Sequence, residues 1–151
     1  MDVLIGIYNR SKFDKELVRY CTQGEPFCIL LMDIDHFKAV NDTHGHLVGD
    51  TVLSGMADVV LENIRSQDVF ARWGGEEFVL LRTENLAKGT ELAERLRREL
   101  ARHALDTVGH ITVSLVITAY RPEDTCTTFM QRVDEALYAA KEAGRNTVRF
   151  L

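Results

Sequence analysis

The stretch Phe27-Cys28-Ile29-Leu30-Leu31-Met32-Asp33-Ile34-Asp35 decides the fold class of this chain. Its first six residues are apolar and do not alternate with polar ones, which indicates a central strand buried on both faces of a sheet. The run then ends abruptly in two acids. A central strand that ends in carboxylates predicts a functional site at that edge of the sheet. For the second acid, Asp35, we expect a role in capping the turn that follows.

The segments on either side of this strand carry helical and strand patterns. Amphipathic stripes predict helices, and β-branched runs between turn signals predict further strands. Gly144 is the expected C-terminal cap of the last helix. The predicted helices are residues 11–24, 46–64, 86–103 and a segment after residue 124, and the predicted strands are 27–32, 68–73, 77–81, 111–119 and an edge strand 148–151.

Without the first helix and the tail, the order is strand, helix, strand, strand, helix, strand. This order predicts an α+β fold with a ferredoxin-like βαββαβ core of the palm or nucleotide-cyclase type, in which helices flank a central antiparallel sheet. The first helix and the last strand are extra N- and C-terminal elements. In this arrangement the first and third strands are neighbours, so Asp33 and Glu76 are expected to meet at one edge. No linker is visible, and residues 1–151 are expected to form a single domain.

Composition excludes several classes of protein. The net charge of −5 over 151 residues argues against a nucleic-acid or membrane-surface binder, although a nucleotide site needs only a few local cations. No apolar run is long enough to span a membrane, and the first residues lack the pattern of a secretion signal. Cys21, Cys28 and Cys126 are odd in number and have no metal-ligand spacing, so three reduced thiols in a cytoplasmic protein are expected.

The two carboxylates and the adjacent glycines suggest phosphate chemistry. Asp33 and Glu76 would form a hard, oxygen-rich site, and Mg²⁺ takes one or two carboxylates together with substrate phosphates. Gly74 and Gly75 place no side chains at the tip of the hairpin, so a bulky ligand can approach the backbone. The alternative is an ordinary type I′ turn followed by solvated glutamates.

Five segments together resemble the GGDEF diguanylate cyclases, over essentially the whole chain. The segment 72–78, Arg-Trp-Gly-Gly-Glu-Glu-Phe, is similar to the family signature in the variant with Glu at its third position. The other four segments follow in the family's order and spacing. They are the opening motif at residues 2–10, the first active-site motif at 33–42, Gly-His-Leu-Val-Gly-Asp at 45–50 and the closing motif at 136–146.

The resemblance implies an enzyme that condenses two GTP molecules into cyclic di-GMP with release of pyrophosphate, acting as a homodimer with Mg²⁺ or Mn²⁺. It also implies that the domain is the output module of a longer protein with an N-terminal sensor domain, which could anchor it to a membrane. The implied metal ligands are Asp33, the backbone carbonyl of Ile34 and Glu76, and Glu77 supports the metal site. Glu76 is also expected to help deprotonate the attacking 3′-hydroxyl of GTP. The implied substrate contacts are Asn41 and Asp50 on guanine, His46 against the nucleotide, and Lys38, Lys141 and Arg145 on the phosphates, beside Gly74 and Gly75.

A further motif implies product inhibition at a separate site. Arg65-Ser66-Gln67-Asp68 resembles the family's RxxD inhibitory motif. The strand that follows Asp68 leads to the glycine turn, so Arg65 is expected at the far end of that strand. Asp68 is expected to accept from a guanine edge, and Arg95 or Arg97 is expected to complete the site. The alternative is a solvated helix end with a chance Arg–Asp pair.

Other interpretations stay open at this point. Without the resemblance, Lys141 and Arg145 are ordinary solvated helix residues, Asn41 a turn residue and Asp50 a helix-end charge. Ile5 and Val116 depart from the family pattern, which usually has Thr and Gly there. The competing functions are a weak or inactive GGDEF domain that binds GTP or cyclic di-GMP, and another palm-like nucleotidyl transferase or cyclase.

Overall fold

The computed structural model describes residues 7–105, 108–142, 146 and 148–150. Within these residues, helices and strands follow each other in the predicted order, with one additional short helix and one additional hairpin. The helices are α1 (Arg10–Gln23), α2 (Phe37–His44), α3 (His46–Asn63), α4 (Leu86–Arg102) and α5 (Cys126–Glu142), and the strands are β1 (Cys28–Ile34), β2 (Val69–Arg72), β3 (Glu77–Arg82), β4 (Ala104–Leu105), β5 (Gly109–His110), β6 (Val113–Ala119) and β7 (Val148–Phe150).

The main sheet has the predicted ferredoxin-like topology. Its strand order is β2-β3-β1-β6-β7, and the three pairings among the first four strands are antiparallel. The fifth, β7, extends the sheet as a parallel neighbour of β6. In the centre, Leu30 lies opposite Leu80 on one side and Ile117 on the other. The α+β fold class and the central position of β1 are therefore confirmed.

Helices cover both faces of this sheet, which explains why β1 is apolar from Cys28 to Met32. Alternate residues of a strand point to opposite faces. Leu30 and Met32 pack with α3 and α4, whereas Ile29 and Leu31 pack with α1 and α5. Every residue of β1 is buried. No helix in the described part of the chain has both the length and the apolar character that a membrane span requires.

Two features of the chain path were not expected. The short helix α2 begins after His36, whose backbone has a left-handed conformation with φ 58°. Gly45, with φ 88°, separates α2 from α3 and needs to be glycine for that reason. The tight break between the two helices folds α2 back against α3. The second unexpected feature is the small hairpin of β4 and β5.

The prediction of three reduced cysteines is wrong. Cys21 and Cys126 form a disulfide, with their Cα atoms 6.2 Å apart and 105 positions between them in sequence. The pairing arises because α1 and α5 pack side by side on one face of the sheet, a proximity that sequence spacing does not reveal. Cys28 stays free and buried. Burial raises the pKa of the Cys28 thiol to about 12, so the thiol is neutral.

Candidate functional site

The ends of β1 and β3 meet as predicted, with a register that separates the acids into two directions. Asp33 lies opposite Glu77, and the backbone N–H of Ile34 donates to the carbonyl of Glu76 at 3.3 Å. By strand alternation, Asp33 and Glu77 follow the residues that face α1 and α5. Asp33 is 5 % exposed. Three carboxylates therefore gather around one edge of the sheet.

A cleft of about 390 Å³ lies beside this edge and is lined by residues of α2, α3 and the glycine turn. It brings together six of the residues predicted to bind substrate or act in catalysis, which are contributed by three separate sequence motifs. They are Lys38, Asn41, His46, Asp50, Gly75 and Glu76. Phe37, Leu53 and Arg72 also line the cleft, and sequence reasoning did not assign a role to these three.

The glycine turn is not the type I′ turn offered as the ordinary alternative. That turn requires positive φ at both central residues, whereas neither Gly74 nor Gly75 is among the residues with positive φ. A Cβ on Gly75 would meet no atom within 4 Å, and one on Gly74 would meet only Glu77 Oε2 at 3.8 Å. Neither backbone conformation nor internal packing therefore requires glycine in this turn.

Arg72 holds the turn from inside. Its Nε donates to the carbonyls of Gly74 and Gly75, both at 3.2 Å, and its Nη2 donates to the carbonyl of Gly75 at 2.7 Å. These bonds fix the carbonyl side of the turn. The position of Arg72, at the end of β2 and two residues before Gly74, could have indicated this role.

Gly49 is a second residue whose role was missed. It lies on α3 where α2 folds back, and a Cβ there would be 1.9 Å from Oδ1 of Asn41 and 3.2 Å from Cζ of Phe37. Only glycine permits this approach. The Oδ1 atom of Asn41 is buried there and accepts no hydrogen bond from the described residues. Gly49 therefore sets the position of Asn41 in the cleft.

The expectation that Asp35 caps the turn after it is wrong. The Asp35 carboxylate accepts from the hydroxyls of Thr112 and Ser114 at 2.6 and 2.7 Å, and from the backbone N–H of Asn146 at 2.8 Å. These contacts join the end of β1 to β6 and to the segment before β7. Asp35 is thus a structural acid that fixes the edge of the sheet on which Asp33 lies.

Several predicted residues cannot be placed. The residues 2–6 of the opening motif, among them Ile5, and the residues Gly144 and Arg145 lie outside the described part of the chain. Lys141 lies in the last turn of α5, and its side chain is also outside the description. Val116, the other departure from the family pattern, is fully buried in the core opposite Leu31. It packs as an ordinary core residue.

Arg65 and Asp68 lie at the far end of β2 from the glycine turn, as predicted, but Asp68 is engaged internally. Its carboxylate accepts from Nε of Arg82 at 3.0 and 3.1 Å and from the backbone N–H of Arg65 at 2.8 Å. Both Asp68 and Arg82 are buried. The structure therefore gives Asp68 the task of shaping the turn, which differs from the predicted contact with a guanine edge.

The surroundings of Arg65 can receive a ligand. Its guanidinium is about half exposed and lies 3.5 Å from Glu84, beside a cavity of about 510 Å³ lined also by Ile7, Tyr8 and Phe70. Of the two candidate partner arginines, Arg95 donates to the carbonyl of Asn63 at the end of α3, at 2.9 Å. Arg97 contacts Asn146 instead. The geometry thus favours Arg95.

Comparisons with known proteins agree with this arrangement. A family model described as "Diguanylate cyclase, GGDEF domain" matches residues 1–147. The diguanylate cyclase DgcP of Pseudomonas aeruginosa is 40% identical over 153 residues, which are 96% of this chain and 23% of DgcP. The chain thus spans about a quarter of that relative's length.

Solved structures are similar over nearly the whole chain. The crystal structure of the GGDEF domain of DgcB from Caulobacter crescentus in complex with c-di-GMP has a TM-score of 0.94 at 36% identity, and the match covers 99% of this chain and 94% of that one. The active GGEEF domain of a diguanylate cyclase from Vibrio cholerae has a TM-score of 0.87 at 30% identity, covering 95% and 97% of the two chains.

Proposed function

This chain belongs to the GGDEF diguanylate cyclase family, and from that premise we propose that it condenses two GTP molecules into cyclic di-GMP, with residues 1–151 acting as one catalytic unit. The observation that carries the proposal is the single cleft that gathers Lys38, Asn41, His46, Asp50 and Glu76. The glycine turn adds support, because nothing in the described part of the chain requires its glycines. A ligand that approaches the turn closely supplies the reason for them.

The base would lie between α2 and α3. Guanine presents N–H donors at its N1 and N2 positions, which suit the carboxylate of Asp50 and the amide oxygen of Asn41. An acceptor buried without a hydrogen bond is costly, so turning the Asn41 amide towards the cleft would let a guanine donor satisfy it. His46 would lie against the nucleotide.

The donors at the sheet edge fit Mg²⁺ or Mn²⁺. The carboxylates of Asp33 and Glu76 and the carbonyl of Ile34 are hard oxygen donors, and Glu77 would support them. In the described residues, no group of three or more His, Cys, Asp and Glu side chains is arranged to hold a metal ion. Such a donor set suits a cation that completes its shell with substrate phosphates. When bound, the cation would activate a hydroxyl and stabilise charge on the phosphoryl oxygens.

The residues of the chain would act on the two reacting groups. The 3′-oxygen of one GTP attacks the α-phosphorus of the other, the bond to pyrophosphate breaks, and Glu76 helps to take the hydroxyl proton. Lys38, which is exposed in the cleft, would neutralise the developing phosphate charge, together with Lys141 and Arg145. Each cleft supplies one set of guanine contacts, so a homodimer related by a two-fold axis would supply both attacks.

Product feedback belongs to the same proposal. Arg65, with Arg95 nearby, would hold cyclic di-GMP through its planar guanidinium, and Asp68 would act indirectly by fixing the turn that presents Arg65. The site lies across the length of β2 from the glycine turn. Inhibition would therefore be allosteric.

Incubation with GTP and Mg²⁺, with products separated by mass, tests the proposed function. We expect cyclic di-GMP and two pyrophosphates per product, and a rate at least ~100-fold lower from Glu76→Gln. If GTP binds without product formation at any protein concentration, the chain is a nucleotide-binding module. If a different nucleotide product forms, the proposed substrate is wrong.

A further inference from the structure

The first turn of α1 contacts the glycine turn of the site. The guanidinium carbon of Arg10 lies 3.8 Å from the centroid of the Trp73 ring, in a cation–π contact. Trp73 directly precedes Gly74. The same ring meets Phe13 of α1 edge to face, with centroids 5.7 Å apart. Two residues of α1 thus hold the one large side chain at the start of the turn.

The turn is also held by Arg72, which donates to the carbonyls of Gly74 and Gly75, and by its own backbone. Its backbone is closed by the N–H groups of Trp73 and Gly74, which donate to the carbonyl of Glu77 at 2.8 and 3.3 Å. The next side chain after the two glycines is Glu76, which lines the cleft. The direction of Glu76 therefore depends on how firmly the turn is held, and the contacts of Trp73 contribute to that hold.

The chain that leads into α1 is also attached to this region. The N–H of Tyr8 donates to the carbonyl of Phe70 at 3.3 Å, and the N–H of Arg72 donates to the carbonyl of Tyr8 at 2.9 Å. The segment before Arg10 thus runs alongside β2 up to the turn. The start of α1 and the glycine turn are therefore attached to the same strand, β2.

A carboxyl group on α5 responds to the charge of Arg10. Burial raises the pKa of Asp134 on α5, the positive charge of Arg10 opposes that rise, and the negative charge of Glu77 adds to it. Asp134 is therefore within electrostatic reach of Arg10 on α1 and of Glu77 on β3. Arg10 therefore lies near α5 as well as against the signature turn.

We propose that Arg10 is a positioning residue for catalysis, which holds the glycine turn through Trp73 so that Glu76 stays directed into the cleft. The proposal rests on the proposed function. The residues expected to bind the base, Asn41 and Asp50, lie on α2 and α3, away from this contact. Loss of the contact should therefore lower kcat more than it raises KM for GTP.

The test uses Trp73 as a natural reporter, because it is the only tryptophan of the chain. We expect Arg10→Gln to increase acrylamide quenching of Trp73 and to lower kcat by about 2- to 5-fold, the effect of one partly exposed cation–π contact. KM for GTP should stay within about twofold of the parent by the same reasoning. Arg10→Lys retains a cation and should restore most of both readouts. Lys15→Gln, an exposed charge change on the same helix, is the matched control.

A double-mutant cycle separates the contact from general effects on folding. Trp73→Leu should lower kcat, and adding Arg10→Gln to it should cause little further loss, because the contact is already gone. Additive losses, equal quenching in Arg10→Gln and the parent, or a loss shared by Lys15→Gln would overturn the proposal. If the parent makes no cyclic di-GMP, the proposed function fails, and the quenching comparison alone decides whether Arg10 orders the turn.

Discussion

Asp33 of β1 lies directly opposite Glu77 of β3, so the two carboxylates share one face of the sheet, while the neighbouring Glu76 lines the cleft beside α2 and α3. The sequence signature does not distinguish its two glutamates by their surroundings, and the register does. Glu76 lies on the side of the cleft, and Glu77 lies on the side of α1 and α5.

The proposed metal ligands, Asp33 and Glu76 with Glu77 in support, predict unequal effects of the three acids on turnover. Glu76→Gln keeps the shape of the side chain and removes a charged oxygen from the cleft, and Asp33→Asn does the same at the strand end. We expect each change to lower kcat at least ~100-fold, as the loss of a major electrostatic contributor does, and Glu77→Gln to have a smaller effect. Steady-state assays of cyclic di-GMP formation measure this, with Glu62→Gln, an exposed residue of α3, as control. Near-normal rates in both Glu76→Gln and Asp33→Asn would refute the assignment.

Gly49 offers a test of guanine recognition that does not alter a polar group. Because a Cβ at this position would fall 1.9 Å from Oδ1 of Asn41, Gly49→Ala should displace the amide. We expect the preference for GTP over ATP in kcat/KM to fall about 5- to 150-fold, the effect of ~1–3 kcal/mol from lost polar contacts. Asp50→Ala should act in the same direction, and Thr51→Ala on the exposed side of α3 should not. Unchanged discrimination in Gly49→Ala would place the guanine contact elsewhere.

The proposed dimeric mechanism predicts a dependence on protein concentration. In this proposal one cleft holds one guanine, so each 3′-hydroxyl would attack a nucleotide held by a second copy. Specific activity should rise with protein concentration and level off when the dimer is saturated. A dilution series with sizing by light scattering measures both quantities. A flat specific activity from a confirmed monomer would contradict the dimeric mechanism.

The cysteines predict a simple count of reactive thiols. The native protein without reductant should take up no iodoacetamide at pH 8, because two sulfurs are paired and Cys28 is a buried neutral thiol whose pKa is raised to about 12. Unfolding should expose one thiol, and unfolding with reductant three. Mass spectrometry counts the labels. Uptake of two or three labels by the native protein would contradict the pairing.

Whether a structural feature can be predicted from the sequence depends on how far apart in the chain the interacting residues are. The uninterrupted apolar run from Phe27 to Met32 predicts a central strand because only a strand covered on both faces buries every side chain. The cleft residues could be predicted because three motifs of the GGDEF family contain them. In both cases the signal lies within a few consecutive residues.

The features that escaped prediction depend on contacts between distant segments. The partners of Asp35 are Thr112, Ser114 and Asn146, which only the folded sheet brings to it. The approach of Asn41 to Gly49 depends on α2, a helix of 8 residues whose start at left-handed His36 leaves no standard cap signal. Such contacts follow from tertiary packing, which local patterns do not report.

The last prediction concerns Arg65 and Asp68, which have different surroundings in the structure. Arg65 presents a half-exposed guanidinium beside a cavity, whereas Asp68 is buried against Arg82 and accepts from the backbone of Arg65. Arg65→Ala should therefore weaken cyclic di-GMP binding at least tenfold, by ~1.5–3 kcal/mol for a charge-assisted contact, and leave the melting temperature close to that of the parent. Asp68→Asn should instead lower stability by ~3–5 kcal/mol, since it leaves the buried Arg82 without its carboxylate. Calorimetry with cyclic di-GMP and thermal unfolding of each variant measure the two effects, and Arg98→Ala, an exposed arginine of α4, is the control. Equal binding of cyclic di-GMP by Arg65→Ala and the parent would remove the inhibitory site while leaving the catalytic proposal standing, and a fully stable Asp68→Asn would show that its buried pair with Arg82 is not what holds the turn.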